Sequence, residues 1–496
     1  MIFNEFNKSN SNDGLLKFAN RYYVHILIVV IALVCVVFND VIGYSFSALD
    51  IQLYLQDNNE IMNFSWDKLG TLLTSTYGGH YHPLTIIFYL LPYKIFGLEP
   101  TVYHTLTLLL HCVNIVVVFW FVHKLSDKLT ALLAVLIFAF HPLGTESYVW
   151  IPGMASSLVT IFYIPAVLYY IKYVASQRKV KYLLISAGFT FLAINSKSIA
   201  ITLPVMFLFL DVFIEKKIKW KKLMFLLPFF ALSVIYGLMA IKGTYVHGSM
   251  NSLGNNFSYF DRIFLISGAI NFQLGLFFWP VNLCVFHFMP DLVDGLLPVY
   301  YYWAPLITVA VFALCFFMGK LKRQYLFVLI FFSISLSLYL PIMPVGDTLT
   351  AERYSYLPMI GLVFFVALIL RKLLTSGLRW VSIFSGFIYI VLIATLVYGS
   401  IDRKKVWQDD KSLAEDILTK NPNHYRAHFS MGCAYLRDKQ TEKAIEHLTK
   451  STELKREYPR VFLTRGIAYD MAGDYKSAIA DLDTAIYMMP EYESVY

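Results

Sequence analysis

Charge is scarce in this chain of 496 residues: Asp, Glu, Lys and Arg together make up 15%, against about 25% in an ordinary soluble domain. Hydrophobic residues fill the deficit at 58%, with aromatics alone at 17%. That balance excludes a soluble enzyme and points to a polytopic membrane protein with one polar end. Cysteine is scarce too. Cys35, Cys112, Cys284, Cys315 and Cys433 are scattered, odd in number and mostly inside apolar runs. Neither a disulfide framework nor a metal-ligand spacing is visible among them. There is no G-x-x-x-x-G-K-[ST] loop and no Rossmann glycine fingerprint, so no tight nucleotide site is implied. The net charge of +8 is not a nucleic-acid signal. Its Lys and Arg sit in short clusters between apolar runs, where they orient a chain in a membrane.

What the chain has in abundance is apolar length. A crossing helix needs about 20 mainly apolar residues. Runs near 23–40, 102–122, 129–143, 154–173, 182–197, 199–214, 223–241, 301–319, 324–343, 355–370 and 380–400 predict about 11 spans. The first follows Lys17 and Arg21 and lacks a small-residue cleavage site, so it reads as a retained span, not a removed signal peptide. Two further stretches, 83–97 and 263–288, read as helices lying in the interface. With that choice the basic clusters fall on one face: Lys8, Lys17 and Arg21; Lys124 and Lys128; Lys172, Arg178, Lys179 and Lys181; "EKKIKWKK" at 215–222; "KLKR" at 320–323; and Arg371, Lys372 and Arg379. Basic short loops mark the cytoplasm. The exception is "DRKK" at 402–405. The opposite face receives Asp50, His80, His82, His141, Glu146, Asp261, Arg262, Asp291, Asp294, Asp347, Glu352 and Arg353, with Lys197 at or near it. The chemistry is therefore expected outside the cytoplasm.

The polar end repeats. Gly432, Tyr435 and Ala444 recur 34 residues later as Gly466, Tyr469 and Ala478. That period, with small residues at those places, is the tetratricopeptide signature. Two repeats are expected, preceded by a helix over 409–421. Such arrays bind peptides and proteins in a groove; bracing the membrane part is the alternative. The expected domains are 1–400, in the membrane, and 401–496, the repeats.

Several stretches form an ordered set: "FSALDIQLYLQDN" after the first span, "YHPLTIIFYLLPYKIFGLEPTVYHTLTLLLHCVN" at 81–114, "FHPLGTESYVWI" at 140–151, "SKSIAITLPVMFLFLD" at 196–211, "FFWPVNLCVFHFMP" at 277–290 and "AERYSYLPMIGL" at 351–362. With the repeats at the end, this order resembles the bacterial relatives of the transmembrane-and-tetratricopeptide-repeat O-mannosyltransferases, a GT-C family of membrane glycosyltransferases. The resemblance implies an all-α GT-C fold with an acidic residue in the first outer loop facing a lipid-phosphate sugar donor. It also implies a bacterial inner membrane, a cytoplasmic N-terminus and periplasmic repeats. The chain departs from the family pattern in three places. It has Ile51 where a second acid is common, "PGMASS" at 152–157 where a charged stretch is frequent, and "SKS" at 196–198, which keeps Lys197 without the acid or proline often seen next.

Within that resemblance Asp50 is the candidate catalytic base. A Ser or Thr hydroxyl is a poor nucleophile, and a positioned carboxylate takes its proton as it attacks the sugar. Capping the following helix is the structural alternative. The leaving lipid phosphate needs cationic donors, and His82, Lys197 and Arg353 are the candidates, Arg by its fork. Glu146, Tyr354 and Tyr356 are candidates for contact with the acceptor or a metal; a divalent cation held by Asp50 and Glu146 is a further option. His82 can instead bond the backbone ahead of Pro83, and Glu146 can pair with Lys197. The expected reaction is inverting transfer of a sugar from a polyprenyl-phosphate carrier to Ser or Thr of an exported protein, with the repeats recruiting the acceptor. The rivals are an oligosaccharyltransferase using a lipid-pyrophosphate glycan, and a non-catalytic membrane scaffold or glycolipid transporter.

Overall fold

Without water, backbone N–H and C=O groups must be satisfied within their own segment, so long apolar runs fold as helices. The computed structural model describes residues 14–47, 51, 54–55, 58–216, 223–246, 257–317, 322–342, 348–456 and 458–488. The chain divides into two units, one of Met1–Gly43 with Leu53–Lys404 and one of Tyr44–Gln52 with Lys405–Tyr496.

In the first unit the described helices of eight residues or more are α1 (Gly14–Val37), α2 (Pro83–Phe96), α3 (Pro100–Leu125), α4 (Lys128–Ala139), α5 (Met154–Ala175), α6 (Val180–Ser196), α7 (Leu203–Glu215), α8 (Leu227–Val246), α9 (Tyr259–Phe278), α10 (Val299–Phe316), α11 (Lys322–Leu336), α12 (Met359–Leu374) and α13 (Arg379–Lys405). The described residues hold one sheet, an antiparallel pair of β1 (His287–Phe288) and β2 (Thr348–Thr350).

Six described helical segments are long and apolar enough to cross a membrane: Gly14–Val37, Pro100–Leu125, Ile151–Ala175, Ser198–Glu215, Met224–Tyr245 and Arg379–Lys405. The other five expected spans fall on α4, α6, α10, α11 and α12, which have 12 to 18 residues. Twelve residues of helix reach about 18 Å, short of the hydrocarbon core of about 30 Å. By length and composition, then, six described helices qualify as crossings, and the other five of the expected eleven are shorter. Of the two stretches expected at the interface, 83–97 forms α2, with Pro92 inside it. The other begins within α9, whose helix ends at Phe278, and continues irregularly to β1.

The centre of this unit is α5, buried along almost its whole length. Polar side chains tie its neighbours to it. Asn114 of α3 donates to the Ser157 carbonyl at 3.0 Å, and Ser186 of α6 to that of Ala166 at 2.8 Å. Several residues of the basic clusters are ion-paired. Arg178 meets Asp211 at 2.8 Å and Glu215 at 3.0 Å, and Arg371 meets Asp127. Two residues of the "DRKK" stretch are ion-paired as well: Arg403 with Glu352 and Lys404 with Asp40.

The second unit carries α14 (Asp410–Lys420), α15 (Tyr425–Arg437), α16 (Thr441–Leu454), α17 (Pro459–Ala472) and α18 (Tyr475–Met488). Ser45 of its N-terminal segment donates its backbone N–H to the Gln408 carbonyl at 3.3 Å. The 34-residue period is visible in the packing. A Cβ on Gly432 would lie 2.6 Å from Leu448, and one on Gly466 2.9 Å from Leu482, so each hairpin closes on a glycine. Ala444, Leu448 and Ala468 are buried between the helices.

Candidate functional site

Glu146 opens a single helical turn, Glu146–Val149, in the proline-interrupted passage from α4 to α5. The turn is held by close approach: a Cβ on Gly153 would lie 2.4 Å from the Glu146 carbonyl oxygen. Glu146 is fully buried, and both of its carboxylate oxygens are occupied by one residue. Arg353 Nη1 donates to Oε1 at 2.7 Å, and the Arg353 backbone N–H donates to Oε2 at 2.7 Å. The sequence left Lys197 open as the partner of Glu146; Arg353 takes that place.

The Arg353 guanidinium lies among aromatic rings, 5.3 Å from the centroid of Trp150, 5.2 Å from Tyr354 and 5.8 Å from Phe286. Tyr354 stacks on Tyr339, with centroids 4.2 Å apart and planes within 5°. Tyr339 in turn lies 5.5 Å below the ammonium of Lys197. Lys197 Nζ donates to Ser156 Oγ at 2.7 Å, and Ser156 Oγ donates to the Arg353 carbonyl at 3.4 Å. Arg353, Tyr354, Tyr339, Lys197 and Ser156 thus form a closed ring of contacts, joined to the buried Glu146 carboxylate through Arg353.

Lys197 sits in the break between α6 and the turn Ser198–Thr202, outside both helices. Burial and the nearby Arg353 push its ammonium down to about 7, against the opposing pull of Glu146. His82 caps the start of α2 and reaches the same break. Its Nε2 accepts the Ser198 backbone N–H at 3.3 Å and lies 3.1 Å from Ser198 Oγ. A ring nitrogen that accepts from an amide carries no proton, so the His82 proton is on Nδ1. Burial holds His82 well below the usual imidazole range, helped by His80 and Lys197. At neutral pH His82 is a neutral polar group rather than a cation. Thr85 fixes α2 here by donating to the Ser196 carbonyl at 2.7 Å.

The structure therefore brings His82, Glu146, Lys197, Arg353 and Tyr354 together. It does not bring Tyr356 to them. That hydroxyl is buried against His111 Nδ1 at 2.7 Å, beside Phe138. Tyr356 belongs to the packing between α3 and α12. Asp50 lies outside the described residues. Among the described residues, no three His, Cys, Asp or Glu side chains are grouped to hold a metal.

Comparison with known proteins accounts for both halves of the chain. Residues 425–458 match the tetratricopeptide repeat family. The protein O-mannosyl-transferase TMTC3 of Mus musculus is 23% identical over 461 residues, covering 83% of this chain and 48% of that protein. The chain is similar, over most of its length, to protein O-mannosyl-transferases. The protein O-mannosyl-transferase F38B6.6 of Caenorhabditis elegans is 23% identical over 400 residues, 76% of this chain and 55% of that one. The human protein O-mannosyl-transferase TMTC2 reaches 36% over 115 residues, 22% of this chain and 14% of that one. The chain spans about half the length of the TMTC3 relative it matches.

Three members of the cluster carried no distinctive signal in the sequence. Ser156 and Ser198 are small residues beside apolar helices, and Tyr339 is one aromatic among many. The pointer to Ser156 was negative: it lies in "PGMASS", where the resembled family frequently has charge.

Proposed function

We propose that this protein is a membrane glycosyltransferase that moves a sugar from a polyprenyl-phosphate carrier to Ser or Thr hydroxyls of exported proteins. The observation that carries this reading is the Glu146–Arg353–Lys197 cluster, where two basic side chains gather around one carboxylate beside aromatic rings. An excess of positive charge in a site of low exposure suits a phosphate leaving group, whose negative charge grows as the sugar departs. An arriving phosphate also raises the proton affinity of Lys197, so the donor charges the residue that binds it. Neutral His82 supplies hydrogen bonding and not charge. Asp50 is the proposed base, on the strength of its place in the sequence. Mannose is the proposed sugar, from the names of the relatives. The proposed setting is GT-C architecture in a bacterial inner membrane, the reacting groups and repeats on the extracytoplasmic face and the repeats recruiting the acceptor.

The test uses purified protein in lipid nanodiscs, polyprenyl-phosphate mannose and Ser/Thr-rich acceptor peptides. Transfer by wild type, inverted at the anomeric carbon and lost in Asp50→Asn, is expected. No transfer to any acceptor, with a folded protein, overturns the substrate assignment. Transfer from lipid pyrophosphate oligosaccharide alone replaces it with the oligosaccharyltransferase reading.

A further inference from the structure

At the turn between α5 and α6, three lysines lie around one tyrosine. The Tyr182 ring, in the first turn of α6, has Lys172 Nζ 4.4 Å and Lys181 Nζ 5.1 Å from its centroid. Lys179 is close enough to act electrostatically on the same side chain. All three lysines are exposed, and none has a carboxylate partner among the described residues. The arginine of this turn, Arg178, is already paired with Asp211 and Glu215. Three positive charges are therefore left unanswered at one spot.

The place of that spot in the membrane unit says what answers them. α5 carries Ser156 of the Glu146–Arg353 cluster near its start and Lys172 near its end. The helix between them is about 24 Å long, most of the way across a hydrocarbon core of about 30 Å, so the lysines lie at the opposite membrane face. One helical turn deeper, the Tyr169 ring lies under Lys172, 5.9 Å from its Nζ. Tyr169 stacks on Phe189 of α6 with centroids 5.9 Å apart and meets Trp120 of α3 edge-on at 6.0 Å. Val180 and Leu184 of α6 are 59% and 67% exposed. Apolar surface thus begins directly beneath the charge, the order of a phospholipid read from headgroup to chain.

We propose that Lys172, Lys179, Lys181 and Tyr182 bind the phosphate of an anionic glycerophospholipid, with its acyl chain along Tyr169, Phe189 and Trp120. The exposed lysine stems are flexible, so their ammonium groups close on one phosphate without moving the backbone. The Tyr182 hydroxyl donates a further hydrogen bond. A zwitterionic headgroup would bring a cation back to three lysines, so the site selects a lipid of net negative charge. The bound lipid ties α5 to α6 at the end remote from the cluster. The site does not depend on the function proposed above.

The experiment is native mass spectrometry of the full-length protein in detergent, titrated with phosphatidylglycerol or with phosphatidylcholine of the same chains. Wild type is expected to retain one phosphatidylglycerol per chain, at least about tenfold tighter than phosphatidylcholine. Lys172→Gln with Lys181→Gln should lose that preference, and Lys172→Arg with Lys181→Arg should keep it. Lys124→Gln with Lys372→Gln removes the same charge from exposed lysines elsewhere on the same basic face and should bind as wild type does. Equal loss in this control pair shows a diffuse basic belt and overturns the site, as does an unchanged preference in the first pair. Displacement of the lipid by an equal concentration of inorganic phosphate overturns the lipid assignment. Should the first pair misfold, phosphatidylglycerol with a diazirine in its chain decides on wild type: crosslinks at Trp120, Tyr169 or Phe189 support the site, and crosslinks only elsewhere overturn it.

Discussion

Arg403 holds Glu352 in a fork, Nη2 to Oε1 at 3.0 Å and Nε to Oε2 at 3.1 Å, both side chains almost wholly buried. Glu352 is the neighbour of Arg353, so the last span of the membrane unit anchors the backbone that presents the guanidinium to Glu146. Removing one partner of a buried pair strands the other charge and costs about 3–5 kcal/mol. Arg403→Met is expected to lower the melting temperature sharply in detergent. Adding Glu352→Leu to it should recover most of the loss, because two apolar residues leave no charge stranded. A double variant no more stable than Arg403→Met contradicts the pairing.

Glu146 accepts one bond from the Arg353 guanidinium and one from its backbone N–H, and the guanidinium plane also lies among Trp150, Tyr354 and Phe286. Arg353→Lys keeps the charge and the backbone bond and loses the planar group that meets those rings. It is expected to lower kcat/KM for the lipid-linked donor by about 10²-fold or more. Glu146→Gln should fall in the same range while the protein remains folded. Near-normal kcat/KM in both variants would remove the cluster from the reaction.

Lys197 gives a pH dependence with a definite sign. Its ammonium is depressed to about 7, so the side chain is cationic below that pH and neutral above it. Donor binding is therefore expected to weaken as pH rises through about 7, seen as a rising donor KM. Lys197→Arg keeps its charge throughout this range and should flatten the profile. A wild-type KM that stays level from about pH 6 to about pH 9 would show that the Lys197 charge is not used.

Gly153 is expected to tolerate no side chain, because alanine would press on the Glu146 carbonyl oxygen and on Ser147 Cα. Overpacking of this kind costs about 1–3 kcal/mol. Gly153→Ala should lower both melting temperature and transfer, since the turn it displaces carries Glu146. Gly188 has no atom within 4 Å of a Cβ built on it, so Gly188→Ala is the matched control and should do neither.

The sequence made some of this arrangement legible and not the rest. His82, Glu146, Lys197 and Arg353 stood out because ionisable side chains at the ends of apolar helices are costly and need a reason. The repeats stood out because a small residue every 34 positions has a packing cause, realised in the Gly432–Leu448 and Gly466–Leu482 contacts. Pairings were not legible. Glu146 meets Arg353 across 207 residues, and nothing local encodes that choice over Lys197. Tyr354 and Tyr356 looked alike in "RYSY", but Tyr354 ends the turn Glu352–Tyr354 while Tyr356 begins the passage into α12. Two residues on, the chain has turned from the cluster to His111. The crossing count was only partly legible for a simpler reason: hydrophobicity marks a run as apolar and does not give the length of its helix, and six described helices are long enough by length and composition.

The pairs Asp40–Lys404 and Glu352–Arg403 also impose an order on biogenesis. A chain inserted into a membrane from its N-terminal end delivers Asp40 first and Glu352 much later. Both pairs must wait for the last residues of α13 before they form. Until then the Glu352–Arg403 fork is unmade, and the neighbouring Arg353 lacks that anchor. A nascent chain halted before residue 403 would hold every other described member of the cluster, yet leave it unlatched. Completion of the last membrane helix is thus the step that locks the cluster, and translation of the repeats continues from that point.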